Sequence, residues 1–242
     1  MPKTQQLSEK ITRMLLYEIQ SGEYAGRDTL PPEVELAEHF GVSRHILREC
    51  LTSLEREGWV TRKHGIGTLV NRDVVHVRTR LDLNYELSNT LEMNGKHAET
   101  CQLRSVKVPA SAELAVQMKI PEGEELLRVS RMIKANGKPG VFCIDYVPTR
   151  LIRNPNYHQS DFKPSIFAFL EKFCNTSVET NLAEVRSMPA TEEVSAALEI
   201  PLGYGLLYLG EVGYDLHANP VLYSEEYFID RVIRHMIVRK KI

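Results

Sequence analysis

The stretch GVSRHILRECLTSLEREGWVTRKHGIGTLV, Gly41 to Val70, decides the fold of the first part of the chain. Ser43 is a helix-capping residue, and behind it Leu47, Cys50, Leu51 and Leu54 recur at the three-and-four spacing of one buried helix face. Arg44, His45 and Arg48 leave that helix in another direction, with the two arginines one turn apart. Gly58 stops the helix. Val60-Thr61 and Thr68-Leu69-Val70 have strand preference, and the glycines between them permit a tight turn, which predicts a hairpin tipped by Lys63, His64 and Gly65.

Toward the N-terminus, Leu7, Ile11, Met14, Leu15 and Ile19 form one apolar stripe, predicting a first helix that ends at Ser21-Gly22. Pro31-Pro32 open a short second helix with Leu36, Ala37 and Phe40 on its buried side, and Gly41 ends it. Three helices and a hairpin make a winged helix-turn-helix. In that arrangement the third helix enters the major groove of double-stranded DNA, where arginine suits bidentate reading of guanine O6 and N7. Two exposed arginines alone are usually solvated surface; the conjunction with the capped helix and the hairpin gives them a role.

The composition fits this reading. The chain has 242 residues, 43% hydrophobic and 26% charged, enough for one large domain or two ordinary ones. No apolar run approaches a bilayer span and the N-terminus lacks a signal-peptide pattern, so we expect no membrane partner and a cytoplasmic location. Cys50, Cys101, Cys143 and Cys174 lie far apart with no C-x-x-C pair, as reduced thiols in cores would. The net charge of −2 hides a gradient: residues 1–40 carry four Lys/Arg against seven Asp/Glu, and residues 41–72 carry six against three. A local positive face is enough to touch phosphates.

LPPEVELAEHFGVSRHILRECLTSLEREGWVTRKHGIGTLV resembles the GntR family of bacterial transcription regulators, whose pattern is LPSE-x-x-LA, then GVSR-x-x-x-R, then a G-x-G-T wing. The resemblance implies that Arg44 and Arg48 read bases, that Ser43 sits near a phosphate, and that His64 and Gly65 make the wing contact. Two residues depart from the pattern: Pro32 replaces a capping Ser and Cys50 an Ala. Neither removes a DNA-contacting group.

Residues 1–72 are thus expected to be the DNA-binding domain, 73–81 a linker, and 82–242 a second domain. That second part contains an internal repeat. Lys119 to Pro148 can be laid over Glu199 to Ile229, with Ile120-Pro121 matching Ile200-Pro201, Leu126-Leu127 matching Leu206-Leu207, and Tyr146 matching Tyr227. An alanine-rich helical stretch, SAELAVQM or TEEVSAAL, precedes each copy, and a polar turn, KANGKP or DLHANP, divides it. Two such units pairing about an approximate twofold give one antiparallel sheet with helices packed on it, an α+β class with a cleft between the halves.

This half resembles the UTRA effector-binding domain of the HutC subfamily, whose fold is similar to chorismate lyase. Members that sense sugar phosphates show R-x-R, a Glu after the hairpin proline, Ser-x-Tyr, and an acid early in the last strand. Arg131 keeps the first arginine, while Ile133, Cys143, Phe167 and Leu222 replace polar groups and Ser165 is retained. Asp145 shares the strand parity of Cys143. The resemblance implies an effector site of Arg131, Cys143, Asp145, Ser165, Phe167 and Leu222, more apolar than a sugar-phosphate pocket and suited to a small monoanionic metabolite.

A homodimer on a pseudo-palindromic operator, acting as a repressor, is the expected function. The alternative is a small-molecule enzyme of chorismate-lyase-like fold joined to a DNA-binding domain. No nucleophile, base and orienting group stand at recognisable spacing, and the eight histidines form no H-x-H or H-x-x-x-H pair. Neither a metal nor another cofactor is expected.

Overall fold

A computed structural model describes residues 3–77, 79–230 and 232–239. The chain divides into two compact units, Met1–Leu83 together with His235–Ile242, and Asn84–Arg234. The segment expected to be a linker therefore lies within the first unit, because Arg72–Val75 forms a short helix whose Val75 is buried in that unit's core. The C-terminal stretch joins it too. The Leu81 N–H donates to the Met236 carbonyl at 2.8 Å, and the Met236 N–H donates to the Thr79 carbonyl at 3.2 Å.

In the first unit, α1 (Lys3–Gln20) packs on α3 (Arg44–Arg56). Ile11, Leu15 and Ile19 are buried, whereas Leu7 and Met14 are 39% and 44% exposed, so the apolar seam is narrower than the sequence stripe. The second helix, α2 (Glu33–His39), starts at Pro32 with no side-chain cap, as expected where Pro replaces Ser. The Ser43 hydroxyl caps α3 by accepting the Ile46 N–H at 3.3 Å, and Leu47, Cys50, Leu51 and Leu54 are all buried. Gly58 ends the helix at φ +85°, a left-handed conformation that favours glycine. Next, β1 (Val60–Lys63) and β2 (Gly67–Val70) pair antiparallel from Val60–Val70 to Lys63–Gly67, followed by α4 (Arg72–Val75).

The second unit contains α5 (Leu87–Met93), β3 (Ala98–Pro109), α6 (Ala112–Met118), β4 (Glu125–Ala135), β5 (Lys138–Pro148), α7 (Ile166–Phe169), β6 (Thr180–Pro189), α8 (Glu192–Leu198), β7 (Gly205–Tyr214) and β8 (Pro220–Phe228). The strands form one antiparallel sheet in the order β3-β4-β5-β8-β7-β6. That order is the repeat made visible: β3-α6-β4-β5 and β6-α8-β7-β8 meet at β5 and β8. Ile144 faces Glu225 across this central pair, at the offset that relates Tyr146 to Tyr227, so the approximate twofold passes between them.

The helices of the repeats match in detail. Ser111 caps α6 and Thr191 caps α8 by accepting backbone N–H groups, and each helix ends in a left-handed residue, Lys119 or Glu199. Both pack on one face of the sheet, α8 over Phe142, Ile144 and Tyr208, and α6 over Leu126 and Tyr146. On the opposite face α7 and the turns before and after it bring Phe162, Phe169, Leu170 and Phe173 over Leu127, Val129 and Leu222. Among the described residues no helix is long and apolar enough to cross a membrane.

Candidate functional sites

The residues expected to face DNA come from α3 and the hairpin. Arg44, His45 and Arg48 are exposed on the N-terminal half of α3, and His45 Nε2 lies 3.4 Å from Glu49 Oε1 one turn on. Arg48 is 61% exposed, and its Nε donates to Glu33 Oε2 of α2 at 2.7 Å. This bond engages the guanidinium through Nε and not through its terminal nitrogens. Glu33 escaped the sequence reading, although its place at the start of α2 puts it beside α3.

Arg62 escaped it as well. From β1 its Nε donates to Glu55 Oε2 at 2.8 Å and its Nη2 to Thr52 Oγ1 at 3.1 Å, tying the hairpin to the outer face of α3. An open groove of about 870 Å³ results, lined by Glu33, Arg48, Arg62, Lys63, His64 and Gly65 among others. Arg48 and the hairpin tip thus share one concavity, while Ser43, Arg44 and His45 lie outside its lining. Gly65 has φ +75° and a Cβ there would meet no atom within 4 Å, so backbone conformation sets the need for glycine and the tip is open to approach.

The second site lies on the α7 face of the sheet, where the two repeats meet. Register places two rows side by side across β4, β5, β8 and β7: Arg131, Cys143, Glu226 and Leu209, then Val129, Asp145, Ser224 and Glu211. Arg131 Nη2 donates to Asp145 Oδ2 at 2.8 Å and Nη1 to the Phe162 carbonyl at 3.3 Å. The Ser224 hydroxyl donates to Asp145 Oδ1 at 2.7 Å. A small cavity of about 20 Å³ remains, room for one water. Its wall includes Arg131, Ile133, Asp145, Glu211, Ser224 and Glu226 from the sheet, under a roof of residues 85–88 and 164–167.

Burial raises the Glu226 carboxyl well above its ordinary value of 4.5, and the negative neighbours Glu211 and Asp145 push it further. Glu211 is raised for the same first reason, against the Asn181 amide that donates to it at 2.7 Å. Burial disfavours the Arg131 charge, but Cys143 and Asp145 beside it more than compensate and its pKa is raised. Burial also pushes the Cys143 thiol up to about 12, so at neutral pH the compensation comes from the Asp145 ion pair.

Of the residues expected here, Arg131, Asp145, Ser165 and Phe167 line the cavity, and Cys143 and Leu222 do not. Cys143 has the right parity but its thiol is fully buried and donates to the Arg131 carbonyl at 3.5 Å. Leu222 is packed under the aromatic cluster of α7. Ser165 caps α7 by accepting the Ala168 N–H at 3.0 Å, which commits one side of its oxygen to the helix. The cavity is more acidic than the Ile, Cys, Phe and Leu replacements suggested. Glu211, Ser224 and Glu226 went unread, although Ser224 and Glu226 share the parity of Leu222 along β8.

Comparison with known proteins agrees with both halves. Residues 7–70 match the bacterial regulatory proteins of the gntR family, and residues 93–231 match the UTRA domain. The chain is 29% identical to the HTH-type transcriptional regulator RB1450 of Rhizobium meliloti (strain 1021), over 88% of this chain and 87% of that one. It is 28% identical to the "Probable transcriptional regulator PhnF" of Escherichia coli (strain K12), over 91% and 88%. Among solved structures, the possible transcriptional regulator YydK of Bacillus subtilis superposes with a TM-score of 0.78 at 18% identity, covering 97% of this chain and 99% of that one, a likeness of fold. The α+β architecture, the capped α3 with its hairpin and the repeated sheet thus all lead to one conclusion: the chain belongs to the GntR family of bacterial transcription regulators, in the HutC/PhnF-like arrangement of a helix-turn-helix domain followed by a UTRA domain.

Proposed function

We propose that this DNA-binding regulator is a cytoplasmic, homodimeric repressor whose hold on a pseudo-palindromic operator is released by a small effector with one anionic group. The observation that carries the effector reading is the seam cavity. It is built from both repeats, and it contains a buried arginine held by a carboxylate that an incoming anion can replace. Its roof begins at Tyr85, two residues after the first unit ends at Leu83, so a ligand that lifts the roof pulls on the chain leading to the DNA-binding residues.

Dimerisation through the second unit is supported by the edge strand β6, where Leu182 and Val185 are 66% and 50% exposed beside unpaired backbone groups. A dimer is also what gives two short recognition helices useful specificity. Fluorescence anisotropy on labelled upstream DNA, titrated with carboxylates, sulfonates and phosphonates, tests the reading. We expect one class to release the DNA. Release by sugar phosphates alone would overturn the effector assignment, and a monomeric protein in sedimentation would overturn the dimer.

A further inference from the structure

We infer that the effector is a zwitterion, with its anionic end on Arg131 and an ammonium received by Glu211 and Glu226. This rests on the anionic contact proposed above and adds the opposite charge. Four carboxyl groups line the cavity, Glu86, Asp145, Glu211 and Glu226, against the single basic side chain of Arg131. Asp145 is already spent on Arg131, with Ser224 on its other oxygen. Glu211 and Glu226 lie on adjacent strands as diagonal neighbours, two register positions apart on the same sheet face, so their carboxyls can converge on one group. Both carboxyls are half-buried, and glutamine would fit these places without their cost, which a positive partner offsets.

An independent observation marks the other end. Arg131 is 5% exposed and its Nε has no hydrogen-bond partner, an orphaned buried donor in the cavity wall. The backbones of Arg131 and Glu226 stand two strand spacings apart, roughly 10 Å, and both residues line the cavity. A body of two or three carbons between the charged ends matches that span once the roof over the 20 Å³ cavity lifts.

The test uses matched pairs that differ only by an amine: propionate and β-alanine, ethanesulfonate and taurine, ethylphosphonate and 2-aminoethylphosphonate, with ethylamine and Mg²⁺ as controls. Calorimetry on the full chain at pH 7 should find the amino member of at least one pair binding tenfold or more tighter than its partner. Glu226→Gln and Glu211→Gln should each erase that advantage while keeping the affinity for the amine-free partner, which also reports an intact fold. Equal binding within each pair would overturn the zwitterion and leave the anionic contact standing. Ethylamine or Mg²⁺ binding as well as the amino acids would overturn both, as would no binding by any member.

Discussion

Arg131 and Asp145 form an ion pair at 2.8 Å with side chains only 6% and 2% exposed. The guanidinium is thus already held by an internal carboxylate. On the proposed reading an effector has to compete with that carboxylate, so its binding depends on what else in the cavity rewards the ligand. The ion pair also changes how Arg131 can be probed, since removing one partner of a buried pair leaves the other charge uncompensated.

Arg131→Ala should therefore destabilise the protein itself, by about 3–5 kcal/mol. Arg131→Met with Asp145→Leu should recover most of that loss. Urea unfolding followed by circular dichroism on the two single variants and the double variant measures the coupling. If the single variants are as stable as the wild type, the pair is not formed in solution.

Glu226→Gln should stabilise the protein at neutral pH and not in acid. Because the folded-state pKa of Glu226 is raised above 4.5, the native state binds its proton more tightly than the unfolded chain. Stability is then fully present below about pH 4.5 and is lost as pH rises toward the folded value, at up to about 1.4 kcal/mol per pH unit. The amide does not titrate. Melting temperatures of wild type and variant should coincide near pH 4.5 and separate by pH 8, with Glu211 keeping a smaller slope in the variant; Glu86, Asp145 and Arg131, which face the same cavity, are present in both proteins. A pH-independent difference would mean that Glu226 is solvated.

Sequence periodicity resolves what depends on neighbours along the chain. Ser43 as a cap, Leu47 to Leu54 as a buried face, Gly65 at a tip and the two matched helix-hairpin units all follow from local spacing, and all have their expected form. What it missed depends on depth and cover. Strand alternation puts Leu222, Ser224 and Glu226 on one face of β8, but only the three-dimensional roof decides that Leu222 lies under aromatic rings while Glu226 meets the cavity. Glu211 and Glu226 carry no mark of the cavity in the sequence, because charged residues on strands ordinarily face solvent. The Arg131 partner needed the β4–β5 register, and the home of the C-terminal stretch needed a pairing between residues far apart in sequence.

Arg48→Ala should cost about 1–3 kcal/mol on the cognate operator and flatten base discrimination at one position, with folding nearly unchanged. Glu33→Ala should give a smaller loss in the same position, because it frees the guanidinium that the 2.7 Å bond aims. Arg48→Lys should not rescue, since a single ammonium cannot make the paired contact. Gel shifts on wild-type and single-substituted operators test this, and equal losses on specific and random DNA would reduce Arg48 to a phosphate contact.

Ending the chain at Arg234 should loosen the first unit. Trp59 is the chain's one tryptophan and is 1% exposed. The Arg80 guanidinium lies 4.7 Å from the centre of its ring, pairs with Asp82, and is 2% exposed. That position is held by the backbone bonds of Met236 to Thr79 and Leu81 on either side of Arg80. Removing residues 235–242 deletes both bonds, at about 0.5–1.5 kcal/mol each, and with them the restraint that keeps Arg80 over the indole. Tryptophan emission should shift to the red and the first unit should melt several degrees earlier, while binding in the seam cavity, lined by residues between 85 and 226, should be unaffected. Unchanged emission with unchanged melting would mean that the C-terminal stretch lies on the unit without holding Arg80 in place.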